Sequence, residues 1–431
     1  ASCQGHADIV SMLLAAGAAV NQADNNGLTP LSFASCQGHT AIVSKLLAIG
    51  AVVNQADNNG ETSLLAASCQ GHADIVSMLL TASGAVNQAS NDGMTPLGFA
   101  SLKTHISIVS ALLAARAAVD QASNGGMTSL SAASYEGNAA IVSALLAAGA
   151  MVNQADNEGM TPLCIASHMG HMDIVSMLLI GGASIHQANK NGLAPLSAAS
   201  CQGHINMVSA LLAAGAGVNQ ANDDGVTALC IAALKGHPAI VSVLLAAGAA
   251  VNQANNNGLT PLSAASCQGH TTIVSMLLVA SAAVNQADNN GQTPLFDASC
   301  WGHVTIVSTL LAAGAVVNQA DNNGLTALCI ATLKGHPAIV SMLLTAGAAV
   351  NQANNNGLTP LSAASCQGHT TIVSMLLVAS AAVNQADNNG QTPLFDASCW
   401  GHVTIVSTLL AAGAVVNQAN NNGITSLSAA C

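Results

Sequence analysis

The hydrophobic and polar positions of the chain follow a pattern that predicts short, paired helices. Within residues 27–59, large aliphatic residues recur at steps of one and four positions: Ile42, Val43, Leu46 and Leu47. This is the spacing of one helical face. A shorter apolar stretch beginning at Leu31 predicts another helix before it. Because helices of about eight to ten residues are marginal in isolation, packing against neighbouring elements must stabilise both.

Residues with special backbone preferences mark the ends of these two helices. Thr29 is suited to accept an amide hydrogen bond at a helix N-terminus, and Pro30 suits the first helical position. Gly38 and Gly50 favour the left-handed conformation that ends a helix. Residues 57–60, Asp-Asn-Asn-Gly, are typical of a tight turn because Asn and Gly accept positive φ. The predicted order is turn, first helix, second helix, turn.

This unit recurs along the whole chain with a fixed period. The turn glycine returns every 33 residues, thirteen times from Gly27 to Gly423. Self-similarity at a fixed period predicts a stack of supersecondary units, each contacting its neighbours. We therefore expect a single solenoid over residues 1–431.

The period also defines how the chain divides. The expected parts are a partial unit, twelve complete units and a second partial unit: 1–26, 27–422 and 423–431. Residues 225–323 and 324–422 match at 94 of 99 positions, which indicates that a block of three units was copied in tandem.

Three motifs recur in register in these units. They are G-x-T-P-L near the start, G-H-x-x-I-V-x-x-L-L in the middle and G-A-x-V-N at the end. Together they resemble the ankyrin repeat over all 431 residues. The resemblance implies an all-α ankyrin-repeat solenoid of helix-turn-helix units linked by β-turn or hairpin-like fingers. It also implies that the chain binds other proteins, with fingertips and first helices on the concave side. The family's histidine after T-P-L is replaced here, for example by Ser32.

Composition excludes several classes of protein. Charged residues make up 6% of the chain and hydrophobic residues 51%, so intrinsic disorder is excluded. The longest apolar run, residues 9–20, falls short of the roughly 20 residues of a spanning helix. A net charge of −12 with six scattered basic residues argues against nucleic acid as a partner. No signal peptide is visible and no cysteine pairing is favoured, so we expect a reducing, cytoplasmic compartment.

Histidines and cysteines recur in the same phase and suggest a metal-binding array. A single unit offers at most two ligands, and neighbouring units lie about 8–10 Å apart, too far to share one zinc ion. We therefore expect packing roles, with no metal and no cofactor. The motif C-x-x-H occurs at Cys3/His6, Cys36/His39, Cys69/His72, Cys201/His204, Cys267/His270, Cys300/His303, Cys366/His369 and Cys399/His402. No catalytic constellation is unique to one place, so an enzyme is not expected.

Two groups of residues are candidates for binding a partner. Asparagine pairs repeat at the turn tips, and the two tryptophans replace a recurring glutamine between the helices. The candidate protein-binding residues are Asn58, Asn59, Asn289, Asn290, Trp301, Asn322, Asn323, Asn388, Asn389 and Trp400.

Two functions remain open from the sequence. The first is a non-enzymatic scaffold for protein–protein interaction. The alternative is a self-assembling structural rod or filament component that uses its periodic, low-charge surface, since such a surface lacks charge repulsion. Neither end shows a polar capping repeat, so we expect the chain to belong to a longer protein or a larger assembly, with other proteins or copies of itself as partners.

Overall fold

The computed structural model describes residues 5–431. It divides into two compact units, one ending at Gly217 and the other beginning at Val218. Within the described residues the regular elements are helices, and pairing of extended segments is limited to isolated β-bridges such as that between Ala221 and Thr227. The expected all-α fold of paired helices is confirmed.

The helices alternate between first and second helices of a repeat, with even numbers for the first and odd numbers for the second. The unit ending at Gly217 contains α1 (Ala7–Ala15), α2 (Pro30–Cys36), α3 (Thr40–Ala48), α4 (Ser63–Gln70), α5 (Ala73–Thr81), α6 (Pro96–Leu102), α7 (Ile106–Ala114), α8 (Ser129–Glu136), α9 (Ala139–Ala147), α10 (Pro162–Met169), α11 (Met172–Ile180), α12 (Pro195–Gln202) and α13 (Ile205–Ala213). The other contains α14 (Ala228–Lys235), α15 (Pro238–Ala246), α16 (Pro261–Gln268), α17 (Thr271–Val279), α18 (Pro294–Trp301), α19 (Val304–Ala312), α20 (Ala327–Lys334), α21 (Pro337–Thr345), α22 (Pro360–Gln367), α23 (Thr370–Val378), α24 (Pro393–Cys399), α25 (Val403–Ala411) and α26 (Ser426–Ala430).

The first helices begin where the sequence predicts. Thr29 is the N-cap of α2, and its Oγ1 accepts a hydrogen bond of 3.1 Å from the amide of Ser32. Pro30 occupies the first helical position. Ser32, which stands in place of the family's histidine, also lies 2.9 Å from Thr29 through its own Oγ. At α12 the cap is Ala194, which has no such side-chain bond.

Within each compact unit, the core lies between a first helix, its own second helix and the next first helix. Thus α2 packs against both α3 and α4. Leu31, Ile42, Val43 and Leu46 are buried, as their spacing predicts, whereas Leu47 is half-buried. Since α2 has seven residues and α3 nine, their stability depends on this stacking.

Each turn is a compact, hydrogen-bonded finger. The Oδ1 atom of Asp57 accepts hydrogen bonds from the amides of Asn59 (2.9 Å) and Glu61 (2.8 Å). The amide of Gly60 donates to the carbonyl of Asp57, with Gly60 at φ +78°. An L side chain at such a φ is strained, which explains why glycine closes the turn. The carboxylate therefore braces the finger from within.

None of the helices in residues 5–431 has both the length and the apolar character needed to cross a membrane.

Candidate protein-binding surface

The first asparagine of each tip pair connects its finger to the preceding one. The side-chain amide of Asn58 donates to the carbonyl of Asn25 (3.1 Å), and its backbone amide donates to the carbonyl of Asn26 (2.9 Å). The same side-chain bond joins three further candidates to the finger before them, at 2.8 Å for Asn289, 2.9 Å for Asn322 and 2.9 Å for Asn388. These residues are exposed, but their amide groups hold neighbouring fingers in register.

The second asparagine of each pair lies at the tip itself. Asn59, Asn290, Asn323 and Asn389 are all exposed. The side-chain amides of Asn290 and Asn389 reach only the aspartate within their own finger, at 3.4 and 3.3 Å. The result is a row of neutral, exposed carboxamides on fingers held by hydrogen bonds. Because these fingers are already ordered, binding to this row would carry little entropic cost for ordering it.

A second asparagine ladder, which sequence reasoning missed, lies in the segment that follows the second helix of most repeats. Asn54 Oδ1 accepts a 2.6 Å hydrogen bond from the amide of Ala85 in the next repeat, and its Nδ2 donates to the carbonyl of Ser83 (3.1 Å). The same bond to Oδ1 recurs at Asn252 and Asn285. The recurring V-N-Q sequence was the available signal.

Both tryptophans lie at the C-terminal ends of first helices and expose most of their surface. Trp301 is 62% exposed and Trp400 is 65% exposed. Trp301 ends α18 and Trp400 follows α24. The side chain of Trp301 hydrogen-bonds to Cys267 on the preceding first helix, and Trp400 does the same with Cys366. Each indole is therefore positioned at one edge while much of its surface faces solvent.

Two aspartates near these tryptophans were also missed by sequence reasoning. Asp297 and Asp396 are largely enclosed, and burial raises the pKa of each carboxyl to about 7. The charges of Asp288 and Asp387 raise the pKa values of Asp297 and Asp396, respectively, further. The sequence feature that could have revealed them is an aspartate directly after P-L-F, at a position where the neighbouring units have apolar residues.

The recurring histidine side chains connect successive repeats and do not form clusters of metal ligands within residues 5–431. His72 Nε2 lies 3.0 Å from the carbonyl oxygen of Cys36. A carbonyl oxygen only accepts, so Nε2 carries the proton and cannot bind a metal ion there. No group of three or more potential metal ligands occurs among residues 5–431. Cys3 lies outside the described residues.

The fully buried thiols are poor nucleophiles. Cys164, Cys230 and Cys329 occupy the first helices, and burial raises their pKa values to about 12, 11 and 12. A thiol with so high a pKa is almost entirely protonated near neutral pH and reacts slowly. These cysteines behave as small apolar core residues.

The outer faces of the second helices form shallow apolar grooves. One groove of about 420 Å³ is lined by Leu47, Met78 and Ala82, with serine and threonine at its edge. Another of about 500 Å³ includes Met375 and Val378. Val279 and Val378 are each 88% exposed beside such grooves.

Tandem helix pairs joined by hydrogen-bonded fingers define a helical repeat protein. The family model for ankyrin repeats in groups of three copies matches the chain in overlapping stretches: residues 1–90, 36–123, 82–156, 116–189, 163–255, 247–321, 280–354, 305–387 and 328–420. The chain belongs to the ankyrin-repeat family. Ankyrin repeats are generally protein–protein interaction modules without enzymatic activity. A comparison with curated proteins finds no match.

Proposed function

We propose that this chain is a non-enzymatic scaffold that binds other proteins through its fingertips and first helices. The observation that carries the proposal is the row of exposed carboxamides, including Asn290 and Asn323, on fingers held in place by hydrogen bonds. Because these fingers are already ordered, a partner loses little binding free energy to ordering them. The unbroken period of 33 residues supports treating residues 1–431 as one binding module.

The proposal is tested with binders selected from a displayed peptide library on the unmodified chain. Asn290→Arg and Asn323→Arg place bulk and charge at two tips, so we expect them to weaken most selected binders at least tenfold. A matched control changes the second helices instead, with Ser275→Arg and Ser374→Arg at exposed positions. Binders that lose affinity only with the second-helix changes would contradict the proposed surface.

A second candidate function is lateral self-assembly into a structural rod or filament. The observation that favours it is the set of uncharged grooves beside Val279 and Val378, which are 88% exposed. We expect light scattering to show association that grows with concentration, and Val279→Lys with Val378→Lys to reduce it. A mass that stays monomeric up to high concentration would reject this candidate.

The cysteines bear on where the protein works. Cys69, Cys267 and Cys300 are free thiols in half-buried positions. Structural thiols of this kind persist in a reducing environment, so we place the proposed scaffold in the cytoplasm. Labelling of free thiols in the protein from its native source tests this placement, and extensive oxidation would contradict it.

A further inference from the structure

Each tryptophan of the chain forms a pair with an aspartate on the same helix face. Asp297 and Trp301 are four residues apart in α18, a spacing that brings two side chains together. Both adjoin one thiol, that of Cys267 in α16. Burial raises the pKa of that thiol most, the charge of Asp297 raises it further, and the hydrogen bond from Trp301 lowers it. The carboxyl and the indole therefore lie at one place on the first-helix surface.

The same arrangement occurs again in the copied block. Asp396 and Trp400 are four residues apart at the end of α24, and both act on the thiol of Cys366 in α22. The two pairs lie within the compact unit that begins at Val218. The chain thus has two equivalent pairs, 99 residues apart in sequence.

The carboxyl group of Asp297 lacks a partner within residues 5–431. No residue of the described chain donates a hydrogen bond to it or forms an ion pair with it. The equivalent positions in the neighbouring repeats are Ala264 and Ile330, so packing does not require an acid there. A largely buried carboxylate without a partner is unfavourable. A cation supplied from outside would satisfy it.

The exposed indole beside each carboxyl favours the same kind of ligand. The face of a tryptophan ring attracts lysine, arginine and quaternary ammonium groups. An adjacent carboxylate adds charge complementarity, and the chain as a whole has a net charge of −12. We propose that the pairs Asp297–Trp301 and Asp396–Trp400 together bind two cationic side chains of one extended basic segment in a partner protein. This inference rests on the proposed scaffold function.

The separation of the two sites sets the spacing of those cationic side chains. The pairs are three repeats apart, and packed helices lie about 8–10 Å from one another. Three steps give roughly 24–30 Å, which an extended chain covers in about seven to nine residues at about 3.3 Å each. A segment with two basic residues about eight positions apart fits both sites at once.

Acidic groups, thiols and one lysine lie around the first site. Asp297 faces Cys267 on α16 and Asp288 in the finger before it, with Cys300 on its own helix. Lys334 on α20 also approaches, because its charge lowers the pKa of the Cys300 thiol. A resident cation opposes the binding of another at the Trp301 site.

The second site has an acidic neighbour of the same kind. Asp396 faces Asp387 in its finger and Cys366 on α22. Lys334→Gln removes the resident cation near the first site and should therefore strengthen binding there.

The probe is a fluorescein-labelled peptide of Gly, Ser and Thr with two arginines about eight residues apart, measured by anisotropy against the full chain. We expect it to bind at least tenfold more tightly than the peptide with one arginine, since the second contact is intramolecular. Peptides with two glutamates, or with the arginines three residues apart, serve as controls. Quenching of tryptophan fluorescence gives a direct second readout, because Trp301 and Trp400 are the two tryptophans in the chain.

Substitutions copied from the chain's own repeats test the residues without threatening the fold. Asp297→Ala with Asp396→Ala installs the alanine of Ala264, and Trp301→Gln with Trp400→Gln installs the glutamine of Gln268. Each pair of substitutions should weaken binding of the two-arginine peptide at least tenfold and leave the circular dichroism spectrum unchanged. Lys334→Gln should strengthen it about threefold.

Several results would overturn the inference. They are equal binding of the arginine and glutamate peptides, no binding at millimolar concentration, or unchanged binding by the two aspartate variants. If selected binders still depend on Asn290 and Asn323 while the arginine peptide fails, the scaffold function survives and only the basic partner is rejected. If the arginine peptide does not bind and the selected binders do not depend on Asn290 and Asn323, the scaffold function is rejected as well.

Discussion

The imidazole Nε2 of His72 donates a hydrogen bond of 3.0 Å to the carbonyl oxygen of Cys36, the last residue of α2 in the preceding repeat. The final carbonyls of a helix have no partner within the helix. His72 supplies one from the next repeat, and equivalent bonds join His105 to Cys69 and His303 to Cys267. The recurring histidine therefore connects successive repeats.

Replacing this histidine should weaken the array locally. His72→Ala removes the donor for a part-buried carbonyl, so we expect the free energy of unfolding to fall by about 1–3 kcal/mol. Urea unfolding followed by circular dichroism measures the loss, and amide exchange should place it around α2 and α5. His72→Asn is the matched control, because Asn138 occupies this position in another repeat and caps Ile141 with its Oδ1 at 3.0 Å. Equal losses for Ala and Asn would contradict this reasoning.

A steric relationship accompanies the histidine bond. A Cβ atom added at Gly38 would lie 2.6 Å from Cε1 of His72, closer than atoms can approach. In one repeat, Thr104 replaces this glycine and has φ +61°. The following repeat has Asn138 in place of the histidine. The smaller residue thus occurs where the glycine has been replaced.

This pairing predicts a non-additive pair of substitutions. Asn138→His alone should destabilise the chain, because the ring meets the Cβ of Thr104. Thr104→Gly alone should stabilise it by about 1 kcal/mol, since it relieves the left-handed backbone. The double variant recreates the Gly38–His72 pair, so we expect a favourable coupling of about 1 kcal/mol or more in a double-mutant cycle. Additive effects would show that the two positions do not touch.

The sequence predicted the elements well because their ends are set locally. Thr29, Pro30 and Gly60 act within one repeat, so motif and period were enough to locate caps and turns. The buried positions Ile42 and Leu46 followed from helical spacing.

The sequence could not predict the contacts that side chains make between repeats. Asn58 and Asn59 look alike in the sequence, yet only Asn58 has a side-chain bond to the preceding finger. The donor role of His72 and the burial of Asp297 likewise depend on which residue of a neighbouring repeat lies opposite. A repeating sequence shows that a residue recurs without showing what it meets.

The two asparagines of a fingertip should therefore respond differently to substitution. Asn289→Ala removes a 2.8 Å bond to the carbonyl of Asn256, so we expect a loss of about 1 kcal/mol in the free energy of unfolding. Asn290→Ala removes only a 3.4 Å contact with Asp288 at the exposed tip and should change stability by a few tenths of a kcal/mol. Denaturant unfolding of both variants checks this, and equal losses would place the two side chains in the same role.

The enclosed carboxyl of Asp297 should make stability depend on pH. Burial, aided by Asp288, raises its pKa from the ordinary 3.8 to about 7 in the folded chain. Between these values the folded state binds more protons than the unfolded state, so stability falls as pH rises from about 4 to 7. Above about pH 7 the ionised carboxylate imposes its full cost.

Asp297→Asn removes this charge while keeping the shape of the side chain. The variant should gain roughly 2–4 kcal/mol over the unmodified chain near pH 8, and the gain should shrink as the pH falls toward 4. Asp396 has the same raised pKa of about 7, so Asp396→Asn should show the same slope. Unfolding curves at several pH values measure the difference, in which the titration of all other groups cancels. A difference that stays constant from pH 4 to 8 would mean that Asp297 titrates alike in the folded and unfolded chains.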